Sequence, residues 1–193
     1  MKSLYSTLLV LVLVSLAVPS ATALNPGTDV LVPAAAREGG WVTDLYIMNP
    51  GTTGVSVTVQ WLVRNQANTN PASRQYTLLP NQTLVLDDVI RTEFSLSDGR
   101  GAFRVVAGAD VVVNSRIYNL QGFQTFGQGF EGVPATLAIS AGQSAEVVGL
   151  TANSSFRTNI YALAGANGAV LTFSLQTPSG SPIASRQYIL GTY

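Results

Sequence analysis

Histidine and cysteine are absent from the 193 residues, and lysine occurs once, at Lys2. A chain without them cannot assemble a Ser-His-Asp or Cys-His site, a zinc held by imidazole or thiolate, or a thiol redox pair. Past Lys2 it has no amine for a Schiff base either. Charge is scarce as well: charged side chains make up 10% of the chain, ten Lys plus Arg against ten Asp plus Glu. No basic field is on offer to a phosphate backbone, so nucleic acid is not an expected partner. What remains is the chemistry of carboxylates, hydroxyls, tyrosine and hard cations.

Long apolar runs are also few. The first 23 residues, MKSLYSTLLVLVLVSLAVPSATA, carry one cation at Lys2, an apolar run from Leu8 to Leu16 broken by Ser15, and the small-residue site Ala21-Thr22-Ala23. That order of parts is a secretory signal peptide. The run is too short for the ~20 residues a membrane span needs, and no longer one follows. The expectation is a mature chain from Leu24 onward, secreted or at a bacterial cell surface, extracellular or periplasmic, with no membrane span.

The rest is rich in strand and turn signals. VSVTVQWLV puts Val55, Val57, Val59, Trp61 and Val63 on one side and Ser56, Thr58, Gln60 and Leu62 on the other. Period-two alternation of β-branched residues reads as a half-buried strand with Trp61 in the core. Thr77 to Asp87 around the Pro80-Asn81 turn, Ala102 to Val106, and Val111 to Tyr118 read the same way, with turn clusters at Asn49-Pro50-Gly51, Asn65 to Pro71, Ser97 to Gly101 and Gly108. Strands at such intervals indicate a sandwich or barrel. One helical turn is expected near Asp88 to Phe94, with Asp88 capping it.

The pentapeptide ASRQY occurs twice, at Ala72 to Tyr76 and at Ala184 to Tyr188. The correspondence extends outward. WVTDLY from Trp41 matches FRTNIY from Phe156, and VSVTV from Val55 matches AVLTF from Ala169. Length differences fall between strand-like runs, the signature of a repeated module. The first copy continues into TLLPNQTLVLDDV, GAFRVV and DVVVNSRIYN, whereas the second ends at ILGTY. The expected architecture is therefore all-β: an Ig-like β-sandwich, internally duplicated, with an incomplete second copy. Its parts are 1–23, the first module 24–119, a Gly/Phe/Gln-rich connection 120–132, and a partial module 133–193 that folds alone or with the first. An incomplete sheet leaves an open edge, expected at Arg186, Tyr188 and Leu190, able to pair with another chain.

Candidate sites are few. Asp87-Asp88, with Glu93 and Asp98 nearby, is the densest carboxylate group, but adjacent strand residues point to opposite faces, which weakens the case for a glycosidase pair. No D-x-D-x-D-G spacing marks a calcium loop, and neither a metal nor a cofactor is expected. LQGFQTFGQGFEG sets Phe123, Phe126 and Phe130 among glycines and the amides Gln124 and Gln128. Such rings serve as sugar-stacking or partner contacts when exposed and as packing when folded down. Trp41 is expected in the core, and Arg74, Arg104, Arg116 and Arg186 in cross-strand pairs with carboxylates.

WVTDLYIMNP at Trp41 to Pro50, LPNQTLVLDDV at Leu79 to Val89 and VVVNSRIYN at Val111 to Asn119 resemble Ig-like repeat modules of secreted bacterial proteins of uncharacterised function. The second copy departs from that pattern at Ala164-Gly165, where the Asn-Pro turn is missing. The resemblance implies an extracellular β-module and transfers no catalytic residues. The functional expectation is a non-catalytic structural or adhesive surface module acting through protein contacts or self-association at strand edges. A polysaccharide-binding module using the Phe-rich stretch is the first alternative, a carboxylate-dependent glycosidase the second.

Overall fold

The computed structural model describes residues 24–121 and 124–192. The signal-peptide reading of 1–23, and Phe123, lie outside them. The described chain is all-β and antiparallel apart from one short α-helix and a 3-10 turn at Ala135–Leu137.

Strands β1 (Gly27–Arg37), β2 (Trp41–Met48), β3 (Val55–Val63), β4 (Ala72–Leu78) and β5 (Thr83–Leu86) precede the helical turn α1 (Val89–Thr92). Then comes β6 (Gly99–Gln121), 23 residues long, followed by β7 (Gln124–Glu131) and β8 (Val133–Pro134). β6 organises the rest. Its first half pairs with β3 on one side and β1 on the other, and its second half pairs with β2 and β7. β4 extends the sheet beyond β3, β8 beyond β1, and β5 beyond β2. The partners change where Gly108-Ala109-Asp110 bulges out: Asp29 lies opposite Val106 but Gly27 opposite Val111. A bulge bends and twists its strand, and here it lets one strand serve two sheet regions.

Alternation decides what is buried. Val57, Val59 and Trp61 of β3, Phe103 and Val105 of β6, Val30 and Val32 of β1, and Leu45 and Ile47 of β2 belong to one core cluster. Trp61, Phe94 and Phe103 pack at ring-centroid distances of 5.1 to 6.4 Å, closing the core beside α1. The buried Asn49 ties two turns together. Its amide donates to the carbonyls of Thr53 (2.8 Å) and Leu79 (3.0 Å), and its oxygen accepts from the Gly51 N–H (2.9 Å).

Three expectations change. Asp88 stands at the N-cap of α1 but makes no side-chain cap bond, because its backbone is left-handed (φ 44°) and its carboxylate turns to Arg37. Trp41 is 40% exposed rather than in the core, since it is the first residue of β2 and lies where the sheet ends. In the connection expected at 120–132, Gln121 pairs with Gln124 and Asn114 with Glu131, so its described residues up to Glu131 belong to paired strands β6 and β7. Glycine at 127 fits because β7 lies closely against β6 there. A Cβ on Gly127 would come within 2.5 Å of the Ile117 carbonyl oxygen and the Tyr118 Cβ.

The second half is built differently. Residues 138–168 contain no strand, and Phe156 to Tyr161, the counterpart of β2 in sequence, is exposed. A separate two-stranded sheet follows, β9 (Ala169–Gln176) with β10 (Pro182–Leu190).

Candidate functional site

The β9–β10 hairpin repeats the β3–β4 hairpin pair by pair. In the first, Val55, Val57, Val59 and Trp61 stand opposite Leu78, Tyr76, Arg74 and Ala72. In the second, Ala169, Leu171, Phe173 and Leu175 stand opposite Leu190, Tyr188, Arg186 and Ala184. The residues between them also correspond, down to Thr58 with Gln75 and Thr172 with Gln187. Both copies of ASRQY are thus return strands in one register.

Directly opposed residues share a face. Leu171, Phe173, Leu175, Tyr188 and Leu190 therefore form an apolar face, while Thr172, Ser174, Ser185 and Gln187 lie on the reverse beside Val170 and Ile189. In β3–β4 the equivalent face is the core. Here Leu171, Phe173 and Leu190 are half-buried, Leu175 and Tyr188 are exposed, and Ile189 on the reverse is 85% exposed. Phe173 and Tyr188 meet edge to face at 5.7 Å. Arg74, itself exposed, lies over the Phe94 ring, 5.4 Å from its centroid, and Arg186, at the matching register position opposite Phe173, is exposed as well. Among the described residues β10 is the one strand paired with β9, while β3 has a strand on each side, β4 and β6.

The Phe-rich stretch contributes less than its composition suggests. Phe126, Gln128 and Phe130 pair with Asn119, Ile117 and Ser115 and so share one face of β7. Phe130 packs on the core and meets Tyr161 edge to face at 5.6 Å. Phe126 is 57% exposed and Gln128 exposed. Gln124 is placed by its backbone pairing with Gln121.

A second surface, missed in the sequence, surrounds Trp41. An open cleft of about 400 Å³ is lined by Arg37, Glu38, Trp41, Ser97, Asp98 and Leu120. Glu38 is ion-paired with Arg100, which holds its carboxyl below the usual range. WVTDLY alternates like any strand, and only the end of the sheet exposes its first residue, Trp41.

The carboxylates at 87 and 88 do not form a facing pair. The Arg37 Nε donates to both Asp88 oxygens at 3.0 and 3.1 Å, and Asp87 is exposed. A better-connected carboxylate is Asp44, buried on the outer side of β2. It accepts from the Asp88 N–H at 2.9 Å, the Tyr118 hydroxyl at 3.3 Å and the Tyr46 hydroxyl at 3.4 Å. Burial, then the Asp44 charge, pushes the Tyr118 phenol up to about 12 and raises that of Tyr46. This cluster braces β2, β6 and α1. Of the strand arginines, Arg104 makes the expected cross-strand pair, a two-point grip on Asp29 at 2.7 and 2.8 Å. Arg116 instead lies over the Tyr118 ring.

Among the described residues no group of three or more His, Cys, Asp or Glu is placed to hold a metal ion, and no helix is long and apolar enough to cross a membrane. No family model matches the sequence, nor does any curated protein. A solved structure described as that of Thermotoga maritima 1070 is similar at a TM-score of 0.48 and 14% identity, over 56% of this chain and 95% of its own.

Proposed function

We propose that this protein is a non-catalytic, secreted surface module of Ig-like architecture, carrying a partial internal copy, that works by protein–protein contact at a strand edge. The observation that carries the reading is the β9–β10 hairpin, whose register matches β3–β4 pair by pair while, among the described residues, no strand lies on the second side of β9 as β6 lies beside β3. Unpaired strand edges beside apolar side chains are templates for strand addition. Exposed Phe156, Ile160, Val170 and Ile183 in the same half enlarge the contact surface.

Amide hydrogen exchange on the purified chain, with light scattering on the same sample, tests the reading. A monomer is expected in which β9–β10 amides exchange orders of magnitude faster than those of β3–β4. Hairpin amides as protected as β3–β4 in a monomer would sink it, because the edge would then be covered within the chain.

A second reading rests on Trp41. A half-exposed indole in an open cleft beside Glu38 and Asp98 suits a sugar ring, apolar on its face and hydroxylated at its rim. Retardation on polysaccharide affinity gels, abolished by Trp41→Ala, is the expected result; equal mobility of both proteins on every gel removes this reading.

A further inference from the structure

Resting on the strand-edge reading above, we infer that β9 receives one kind of occupant: an extended polypeptide strand of the β6 type, supplied in trans, docking antiparallel along its free side. The template lies within the molecule. On the far side of β3 from β4 runs β6, with Phe103 opposite Trp61, Val105 opposite Val59 and Ala107 opposite Val57. Leu175, Phe173 and Leu171 hold the register positions of Trp61, Val59 and Val57. A strand docking in β6 fashion therefore sets its alternate apolar residues beside Leu175, Phe173 and Leu171.

The geometry also sets the occupant's other requirements. Opposite Ser174 and Thr172 it places the residues that β6 fills with Arg104 and Val106, opposite Gln60 and Thr58. These look to the hairpin's polar face and tolerate charge. The occupant's apolar face is narrow. Three alternate positions carry it, the largest toward Leu175, because Leu175 is smaller than the Trp61 it replaces. The chain's own β6 cannot fill the site while it remains paired with β1, β2, β3 and β7. Every other described strand also has a pairing partner, and we place the occupant on a separate polypeptide. Main-chain hydrogen bonds supply affinity in such docking, and alternate side chains supply selectivity.

The test uses a fluorescein-labelled peptide with the sequence of residues 99–110 and the purified chain, read by fluorescence polarisation and by amide exchange. Saturable binding that slows exchange in β9 is expected, with a scrambled peptide at least ten-fold weaker. Leu175→Asp should weaken binding at least ten-fold and the milder Leu175→Ala measurably. Val170→Thr, on the opposite face, should leave it within about two-fold. Peptide binding unaffected by either Leu175 substitution, or no saturable binding to a chain whose β9 amides exchange freely, overturns this inference while leaving the strand-edge reading in place. Protection of β9 that grows with protein concentration alone also overturns it, since a second copy then covers the edge. A monomer with β9 already protected ends both.

Discussion

Arg37 and Asp88 join the end of β1 to the head of α1 through two hydrogen bonds from one Nε, at 3.0 and 3.1 Å. The same guanidinium donates to the Ser97 carbonyl, and the Asp88 N–H is taken by Asp44. With both side chains about one-fifth exposed, the contact lies between a surface pair and a buried one. Asp88→Asn should cost about 1.5–3 kcal/mol, the range for hydrogen bonds to charged groups. Asp88→Ala should cost more, because Asn tolerates the left-handed backbone and Ala does not. Urea midpoints at unchanged m-value give the comparison.

Tyr118 makes stability fall in alkali. Its phenol is held neutral in the fold up to about 12, against an ordinary value of 10. Between those values the folded chain keeps a proton that the unfolded chain has lost, so this contribution is complete below pH 10 and disappears as pH rises toward 12. Urea unfolding across pH 9 to 12 should show the decline, and Tyr118→Phe should lessen it. Tyr46, raised by the same causes, and Tyr76, raised further by burial and its bond to Glu93, keep the remaining slope in that variant.

The two tryptophans should separate stability from binding. Trp61 is packed against Phe94 and Phe103, so Trp61→Ala should cost about 3–5 kcal/mol. Trp41→Ala, at the edge of its cleft, should stay within about 1 kcal/mol of the parent, as surface changes do. Thermal unfolding of both variants checks this. A large loss at Trp41 would make it a packing residue and remove the sugar reading.

Gly101 has no room for a side chain. A Cβ there would overlap the Leu62 carbonyl oxygen and press on the Trp61 ring at 2.9 Å. Gly101→Ala should therefore destabilise by about 1–3 kcal/mol or more, the range for forced overpacking. Gly108→Ala, with open space around its Cβ position, is the control and should be nearly silent.

Much of the first half is legible in the sequence, because its strands alternate cleanly. Val55 to Val63 is a strand with Trp61 inward, and Pro80-Asn81 separates β4 from β5. Gly108 misleads. Glycine marks a turn and a bulge equally well, so one strand, β6, reads as two. The glycine at 127 misleads the same way, signalling a loop where it permits a close strand approach. The second half shows the limit of pattern reasoning. AVLTFSLQ and ASRQYIL form strands because each is the other's partner, while FRTNIY, as strand-like as WVTDLY, forms none. β2 lies between β5 and β6, and no strand of either kind flanks FRTNIY among the described residues. A strand is a property of two segments, and a single sequence window displays one.

The length of β6 has a consequence for the order in which the chain acquires structure. Four of the strands made before it or after it, β1, β2, β3 and β7, depend on it for pairing. Chain emerging N-terminus first can close β3 on β4 and β2 on β5, but β1 waits for partners 62 to 84 residues downstream, and long-range pairing of this kind is slow and exposes edges meanwhile. Near-complete synthesis of the first half is the condition for any of it to persist. The β9–β10 hairpin, joined by a five-residue turn at 177–181, needs no such wait, so it can take shape as soon as its own two strands are made.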